Sequence, residues 1–260
     1  MLEIKNIYKT FNPGTINEKV ALNGLSLKLN EGDFVTVIGG NGAGKSTMLN
    51  AVAGVWPVDE GQIIIDGTDV TKLSEYKRAA YLGRVFQDPM TGTAATMGIE
   101  ENLALAKRRG KTRFLRSGIT KAEREEYKEL LKILNLGLED RLTSKVGLLS
   151  GGQRQALTLL MATLQKPKLL LLDEHTAALD PKTAAKVLDI TDRIVNRDHL
   201  TTLMITHNMK DAIAHGNRLI MMMNGKIILD IQGEEKKKLT VKQLLDKFEE
   251  ASGEEFSNDS

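Results

Sequence analysis

The sequence predicts an α/β fold built around a phosphate-binding loop. Three observations support this: a glycine-rich run between a strand and a helix pattern, apolar runs alternating with helical segments, and an apolar run ending in two carboxylates. Short, fully apolar runs are typical of strands covered on both faces, as in parallel sheets. With 260 residues, 41% of them hydrophobic, the chain can bury a sizeable core.

The glycine-rich run follows the β-branched residues 34–38 and precedes the helix-type residues 48–53. It matches the pattern G-x-x-x-x-G-K-[ST], whose glycines let backbone N–H groups point at phosphate oxygens. We expect Lys45 to reach the β- and γ-phosphates and the Ser46 hydroxyl to take a Mg²⁺ position. The candidate nucleotide-binding residues of this loop are Gly39, Asn41, Gly42, Ala43, Gly44, Lys45, Ser46 and Thr47.

Composition excludes several other classes of protein. The formal net charge of +2 gives no argument for a nucleic-acid partner, and the absence of cysteine excludes disulfides and thiolate metal sites. The N-terminus lacks the apolar run of a secretion signal, and no window reaches the ~18 apolar residues of a membrane span. We therefore expect a soluble, cytoplasmic chain that leaves any membrane crossing to another chain.

Two N-terminal strands are predicted, over residues 2–9 and 20–29, before the phosphate loop. Tyr8 or Phe11 could stack on a nucleotide base, or both could simply pack; the residues alone leave both readings open. A later strand, residues 81–86, delivers Gln87 at its carboxyl end, where α/β proteins place ligand chemistry.

Residues 98–165 have helical periods and predict a helical subdomain inserted in the sheet domain. They include a basic run, Lys107 to Arg116, which is either a solvated face or a contact for an anionic surface. At Ser150, Gly151 and Gly152 a helix begins with exposed N–H groups, which is an anion site.

Two acids follow the apolar strand 169–172. Asp173 suits a Mg²⁺ shell, and Glu174 suits a base that polarises an attacking water. Further on, the strand 200–205 ends at Thr206-His207, and residues 219–230 predict a hairpin around Asn224-Gly225. A C-terminal helix is expected over 240–248, with a disordered acidic end from Gly253.

The chain resembles an ABC-transporter ATPase subunit in an ordered set of motifs: Lys45, Gln87, the run Leu149 to Gln153, the two acids Asp173 and Glu174, Asp180 and His207. The resemblance covers residues 1–231 and leaves 232–260 as a short C-terminal helix and tail. It implies an α/β P-loop NTPase of ABC type, with a mixed central sheet, an N-terminal antiparallel β part and the inserted helical subdomain.

The resemblance also implies a role for each motif. Gly39 to Thr47 resembles the Walker A loop, and Phe11 takes the base-stacking position, where the family commonly has Tyr. Gln87 and Asp173 would contact Mg²⁺, Glu174 would be the catalytic glutamate, and His207 would contact the γ-phosphate. The signature residues and the D-loop residue would serve ATP held by a second subunit; they are Ser150, Gly151, Gly152, Gln153 and Asp180.

Two departures follow Glu174, where the family usually has Pro-Thr-Ser and this chain has His175-Thr176-Ala177. The implied partners are a second copy on ATP binding, separate membrane-spanning permease subunits and an extracytoplasmic substrate-binding protein, with no nucleic acid. The implied place is the cytoplasmic face of the membrane. Import of a small solute such as an amino acid is expected; an exporter ATPase or a soluble ABC ATPase are the alternatives.

Overall fold

In the computed structural model of the chain, residues 1–110 and 118–258 are described. The strands are β1 (Leu2–Phe11), β2 (Lys19–Leu29), β3 (Phe34–Gly39), β4 (Glu60–Ile65), β5 (Thr68–Asp69), β6 (Leu82–Val85), β7 (Leu169–Asp173), β8 (Thr202–Ile205), β9 (Arg218–Met223) and β10 (Lys226–Gln232). The helices are α1 (Lys45–Ala53), α2 (Glu75–Arg78), α3 (Ile99–Lys107), α4 (Lys121–Lys132), α5 (Gly151–Thr163), α6 (Pro181–Asp198), α7 (Met209–Ala214), α8 (Gly233–Lys238) and α9 (Val241–Asn258).

These strands form two sheets. The larger has the order β10-β9-β3-β8-β7-β6 and is parallel except for β10, which runs antiparallel to β9. The smaller has the order β2-β1-β4-β5 and is antiparallel throughout. The predicted fold class, with its mixed central sheet and N-terminal antiparallel part, is confirmed.

The central sheet is buried on both faces, which explains its continuous apolar strands. Leu171 of β7 packs on one face in the cluster that contains Met48 and Leu49 of α1. Leu170 and Leu172 point the opposite way, into the cluster formed with α3 to α6. Because successive side chains alternate between faces, each strand has to be apolar at every position.

Helices α3, α4 and α5 lie between β6 and β7 in the chain and share a core that includes Leu103, Tyr127 and Leu157. Helix α4 ends at Lys132, and Asn135 has a left-handed φ of 52°. The part of the basic run from 111 to 116 lies outside the described residues. Lys107 pairs with Glu126, and Arg108 pairs with Glu123 at 3.0 Å, so two of its charges are partnered.

The C-terminal part differs most from the prediction. The hairpin is confirmed: β9 and β10 flank Asn224 and Gly225, whose φ values of 46° and 76° suit a type I′ turn. Helices α7 and α8 were not predicted, and α9 continues to Asn258 instead of ending near Phe248. The disordered end from Gly253 stays a prediction. Across the described ranges, none of the helices is long and apolar enough to cross a membrane.

Candidate nucleotide site

The parallel register of the central sheet brings the predicted motifs to one edge. Ile205 pairs with Val37 on one side and with Asp173 on the other, and Leu172 pairs with Val85. The segments that follow these four strands, β3, β7, β8 and β6, are the phosphate loop, Glu174, His207 and Gln87. Their convergence at the carboxyl edge follows from strand pairing alone.

The loop between β3 and α1 depends on its glycines. Gly39 and Gly44 have φ values of 149° and 99°. A Cβ atom at Gly39 would lie 2.3 Å from the Met222 carbonyl oxygen, and one at Gly44 would lie 2.5 Å from that of Ala21. No side chain caps the start of α1, so the first N–H groups of the helix remain available for an anion.

Lys45 is folded back across this loop. Its Nζ atom donates to the carbonyl oxygens of Gly39 at 2.7 Å and Gly40 at 3.1 Å. Burial lowers the pKa of Lys45, while the nearby carboxylates of Glu174 and Asp173 act in the opposite direction. The ammonium group is thus held at the loop, where phosphate oxygens would enter.

A pocket of about 240 Å³ opens beside the loop. Its lining residues are Phe11, Lys19, Ala21, Asn41, Gly42, Ala43, Gly44, Lys45, Ser46, Thr47 and Glu174. Of the two aromatic candidates, Phe11 lies at the pocket, whereas the Tyr8 ring packs over Gly24. The base-stacking role of Phe11 stays a prediction, now with geometry that favours it.

Trp56 supports the Phe11 ring and was missed by sequence reasoning. The two ring centroids lie 5.0 Å apart with an interplanar angle of 81°, an edge-on contact. On the other side, Asp59 pairs with Lys9 at 2.8 Å and accepts from the Thr10 N–H at 2.6 Å. These contacts fix the end of β1, so the ring is positioned before any base arrives.

Asp173 has a partner that the motif analysis did not include. An Arg84 guanidinium nitrogen lies 3.5 Å from the Asp173 carboxylate and donates to Asn50 Oδ1 at 2.7 Å, and the group stacks over Phe86. Burial raises the pKa of Asp173, and the charge of Arg84 counteracts this rise. Arg84 therefore ties together the strand before Gln87, the helix after the phosphate loop and the predicted metal carboxylate.

The two predicted catalytic side chains lie close together. Glu174 Oε2 is 3.7 Å from Nδ1 of His207, whose side chain is 64% exposed. Glu174 has a left-handed φ of 45°, unusual for a side chain of this kind, and its N–H donates to the Ile205 carbonyl at 3.0 Å. Such strain is held only where neighbouring contacts enforce it, and it turns Glu174 toward the pocket that it lines.

The donors expected for Mg²⁺ fit that ion. Ser46, Asp173 and Gln87 offer a hydroxyl, a carboxylate and an amide oxygen, and Mg²⁺ binds oxygen ligands. Within the described part of the chain, there is no cluster of three or more His, Cys, Asp or Glu residues able to hold a metal.

The signature residues begin α5 with a capping box. The Ser150 hydroxyl accepts from the Gln153 N–H at 3.3 Å, and Gln153 Oε1 accepts from the Ser150 N–H at 3.1 Å. Gly152 also has a packing role: a Cβ atom there would lie 2.2 Å from Cγ2 of Thr183 on α6. The glycines were predicted for anion binding only, so close contact between α5 and α6 is a second reason for them.

Within one chain, the signature residues Ser150 to Gln153 do not line the phosphate-loop pocket. Ser150, Gly152 and Gln153 line another pocket, beside Thr183, and among the described residues the phosphate-loop pocket contains none of them. Asp180 caps α6 through a bond from the Thr183 N–H at 3.1 Å and is exposed. The predicted nucleotide residues thus form two separate groups on one chain.

The sequence profile described as "ABC transporter" matches residues 22–177. The chain belongs to this family. It is 47% identical over 256 residues to a "Tyrosine transport ATP-binding protein" of Clostridioides difficile (strain R20291), covering 96% of this chain and all of that protein. The prediction of an ATP-hydrolysing transport subunit is confirmed.

Other ABC transporter relatives agree in sequence and in structure. A "Spermidine/putrescine import ATP-binding protein PotA" of Haemophilus influenzae (strain ATCC 51907 / DSM 11121 / KW20 / Rd) is 33% identical over 232 residues, which are 88% of this chain and 57% of that protein. The structure entitled "Dimeric structure of a post-hydrolysis state of the ATP-binding cassette MJ0796 bound to ADP and Pi" matches with a TM-score of 0.75 and 30% identity. The match covers 89% of this chain and 98% of that one.

His175, which replaces the usual proline of the ABC family, is buried behind the site. Its Nε2 atom lies 3.1 Å from the Thr191 hydroxyl, which itself donates to the Val187 carbonyl. The hydroxyl must therefore accept from His175, which assigns the proton to Nε2. Burial lowers the pKa of His175 to about 4, so the ring is neutral at physiological pH.

Proposed function

We propose that this chain is the ATPase subunit of an importer for a small solute, of which an amino acid is the best-supported class. The 47% identical relative spans the same length and is named for tyrosine transport, which supports an amino-acid substrate. The observation that carries the mechanism is the separation of the signature helix start from the phosphate loop on one chain. An exporter ATPase is the alternative; the import names of other relatives favour the first reading.

Within one chain, each residue would have a distinct task. Phe11 would stack on the base, the loop N–H groups and Lys45 would hold the phosphates, and Glu174 would polarise the attacking water. His207, next to Glu174, would contact the γ-phosphate. Ser46, Asp173 and Gln87 would hold Mg²⁺, which neutralises phosphate charge when bound.

A second copy of the chain would complete the site. Its Ser150 to Gln153 segment would bring a second helix start to the γ-phosphate, with Asp180 beside it. The relative with ADP and Pi is described as dimeric, which supports this arrangement. ATP would then join two anion-binding helix starts, and hydrolysis would release them.

Transport requires further chains. Separate permease subunits would cross the membrane, a substrate-binding protein would capture the solute outside, and this chain would act at the cytoplasmic face. The importer-type names of the relatives support these partners. The two states of the dimer, with and without ATP, would be coupled to the two access states of the permease.

The first test replaces the proposed base. Glu174→Gln should bind ATP and hydrolyse it about 10²–10⁴-fold more slowly, as expected for loss of a general base. Because ATP then persists, the variant should elute from a size-exclusion column at twice the mass when ATP and Mg²⁺ are present. Unchanged turnover would remove Glu174 from this role.

The shared site is tested with two inactive chains. Lys45→Ala damages the phosphate loop, and Ser150→Arg blocks the helix start that serves the partner. Mixed together, the two variants retain one intact composite site, so an ATP-dependent heterodimer should form. If both variants are folded and no heterodimer appears at any ATP concentration, the ATPase is monomeric.

A further inference from the structure

We propose that Lys19 is a second phosphate-binding lysine of the nucleotide site, in contact with the α- and β-phosphates of ATP. The inference rests on the proposed function, since it assigns a further residue to the same pocket. It is independent of the motifs, because Lys19 lies on β2, outside the Walker A loop and outside the signature. The proposal is based on the position of the Lys19 ammonium group and on the lack of a carboxylate partner for it within residues 1–110 and 118–258.

Lys19 lies directly beside the proposed base-stacking ring. In the register of the N-terminal sheet, Lys19 is the cross-strand partner of Phe11. Partners across an antiparallel pair have Cα atoms about 4.5–5.5 Å apart and side chains on the same face. A base on the Phe11 ring would therefore place the ribose and the first phosphates within reach of the flexible lysine side chain.

The ammonium group is already at the phosphate loop. Its Nζ atom lies 3.2 Å from the point that a Cβ atom on Gly42 would occupy, and Lys19 lines the pocket together with Lys45. Strand β2 also contacts the phosphate loop at Ala21, two residues after Lys19. There the Ala21 carbonyl oxygen lies within 2.5 Å of the Cβ position of Gly44.

Among the described residues, the charged groups near Lys19 in the sequence have other partners. Lys9, at the same end of the hairpin, pairs with Asp59 at 2.8 Å. The carboxylate of Glu18, next in sequence to Lys19, accepts from the Gly14 N–H at 2.6 Å. In the portion of the chain that the structure covers, no carboxylate lies within ion-pair distance of the exposed Lys19 ammonium group. A polyphosphate would supply the missing negative charge.

The test compares three variants of the full chain in EDTA, where no metal permits hydrolysis. Lys19→Gln removes the charge, and Lys19→Arg keeps it. Lys28→Gln is the matched control, because Lys28 is an exposed lysine of the same strand that pairs with Glu3 and lies far along the strand from the pocket. Isothermal titration calorimetry measures binding of ATP, ADP and adenosine to each protein.

We expect Lys19→Gln to bind ATP and ADP about 5–10-fold more weakly. This corresponds to the smallest contribution expected of a hydrogen bond to a charged group, reduced because Lys19 is exposed to solvent. Adenosine affinity should be unchanged, and Lys19→Arg and Lys28→Gln should bind all three ligands like the wild type. The loss for Lys19→Gln should shrink as salt rises to 1 M, where the Debye length is about 3 Å.

Two results would overturn the inference. One is ATP affinity of Lys19→Gln within twofold of the wild type. The other is an equal loss for adenosine, since that would mean that Lys19 only supports the Phe11 ring. The proposed function has its own control in this experiment, for which Lys45→Ala is titrated beside the wild type. If the wild type binds ATP no better than Lys45→Ala, the proposed function is refuted, whatever the result for Lys19.

Discussion

The pair formed by Arg84 and Asp173 can be tested by stability measurements on the nucleotide-free protein. Arg84→Met keeps a long apolar side chain and removes the charge. The two side chains are only 14% and 17% exposed, with 3.5 Å between the charged atoms, so Asp173 would lose its close counter-ion in a largely dry place. The Asn50 amide would lose its bond from the same guanidinium at 2.7 Å.

The expected cost follows from these contacts. Removing one partner of a buried ion pair costs about 3–5 kcal/mol, and the long separation and residual exposure reduce this to about 2 kcal/mol. The lost hydrogen bond to Asn50 adds about 1 kcal/mol. For a chain of this size, a total of about 3 kcal/mol lowers the melting temperature by roughly 6–12 °C.

The cost must also depend on pH. Burial raises the pKa of Asp173 above its unfolded value, so the ionised carboxylate destabilises the folded state at every pH above the folded pKa. Arg84 offsets that penalty, and without it the penalty grows. The difference in free energy of unfolding between wild type and Arg84→Met should therefore be largest near pH 8. It should shrink as the pH falls toward the pKa of Asp173, because protonation removes the buried charge in both proteins.

A double-mutant cycle measures the pair itself. Wild type, Arg84→Met, Asp173→Asn and the double variant are unfolded thermally in EDTA at pH 8 and pH 5, followed by circular dichroism. In the Asp173→Asn background, Arg84→Met should cost only about 1 kcal/mol, which leaves a coupling energy of about 2 kcal/mol. Equal losses in both backgrounds, or a gap that does not change with pH, would refute the argument.

Two further predictions concern the contacts of helix α6 with His175 and with Gly152. Between pH 6.5 and 4, His175 is protonated in the unfolded chain but not in the folded chain, because burial lowers its pKa to about 4. Urea titrations of the wild type should therefore show that the free energy of unfolding falls by up to about 3 kcal/mol over that range. This fall should be absent in His175→Leu. Gly152→Ala places a Cβ atom 2.2 Å from Cγ2 of Thr183, which should cost about 1–3 kcal/mol of stability, and adding Thr183→Ser should recover most of it. The first prediction is contradicted if wild type and His175→Leu lose the same stability at acid pH. The second is contradicted if Thr183→Ser does not restore the stability of Gly152→Ala.

The sequence predicted the parts of the fold that local chemistry determines. The phosphate loop was predictable because only glycine tolerates the backbone of Gly39 and Gly44, and β7 because a strand covered on both faces has to be apolar throughout. The hairpin at Asn224 was predictable because its turn demands two positive φ values. In each case the constraint lies within a few consecutive residues.

The parts that were missed depend on residues far apart in the chain. Arg84 has an ordinary place in a strand pattern, and only the pairing of β6 with β7 brings it beside Asp173. Lys236, in the charge-rich helix α8, is buried and donates to the Gly216 carbonyl at 3.0 Å, which no local period indicates. The choice between Tyr8 and Phe11 stayed open for the same reason, because strand register and the contact with Trp56, which favour Phe11, are not local features.

In the proposed dimer, the capping box at α5 determines which N–H groups of this helix start can serve the partner's site. The bonds between Ser150 and Gln153 occupy the N–H groups of those two residues, which leaves the N–H groups of Gly151, which is exposed, and Gly152, which is buried, at the helix end. Alone, that helix end would bind an anion only weakly, because a single helix start supplies only partial charge. Facing a γ-phosphate already held by Lys45, it would add partial positive charge on the opposite side and exclude water. Phosphoryl transfer depends on this positioning and charge neutralisation, so an assembled pair of chains should hydrolyse ATP far faster than a lone chain.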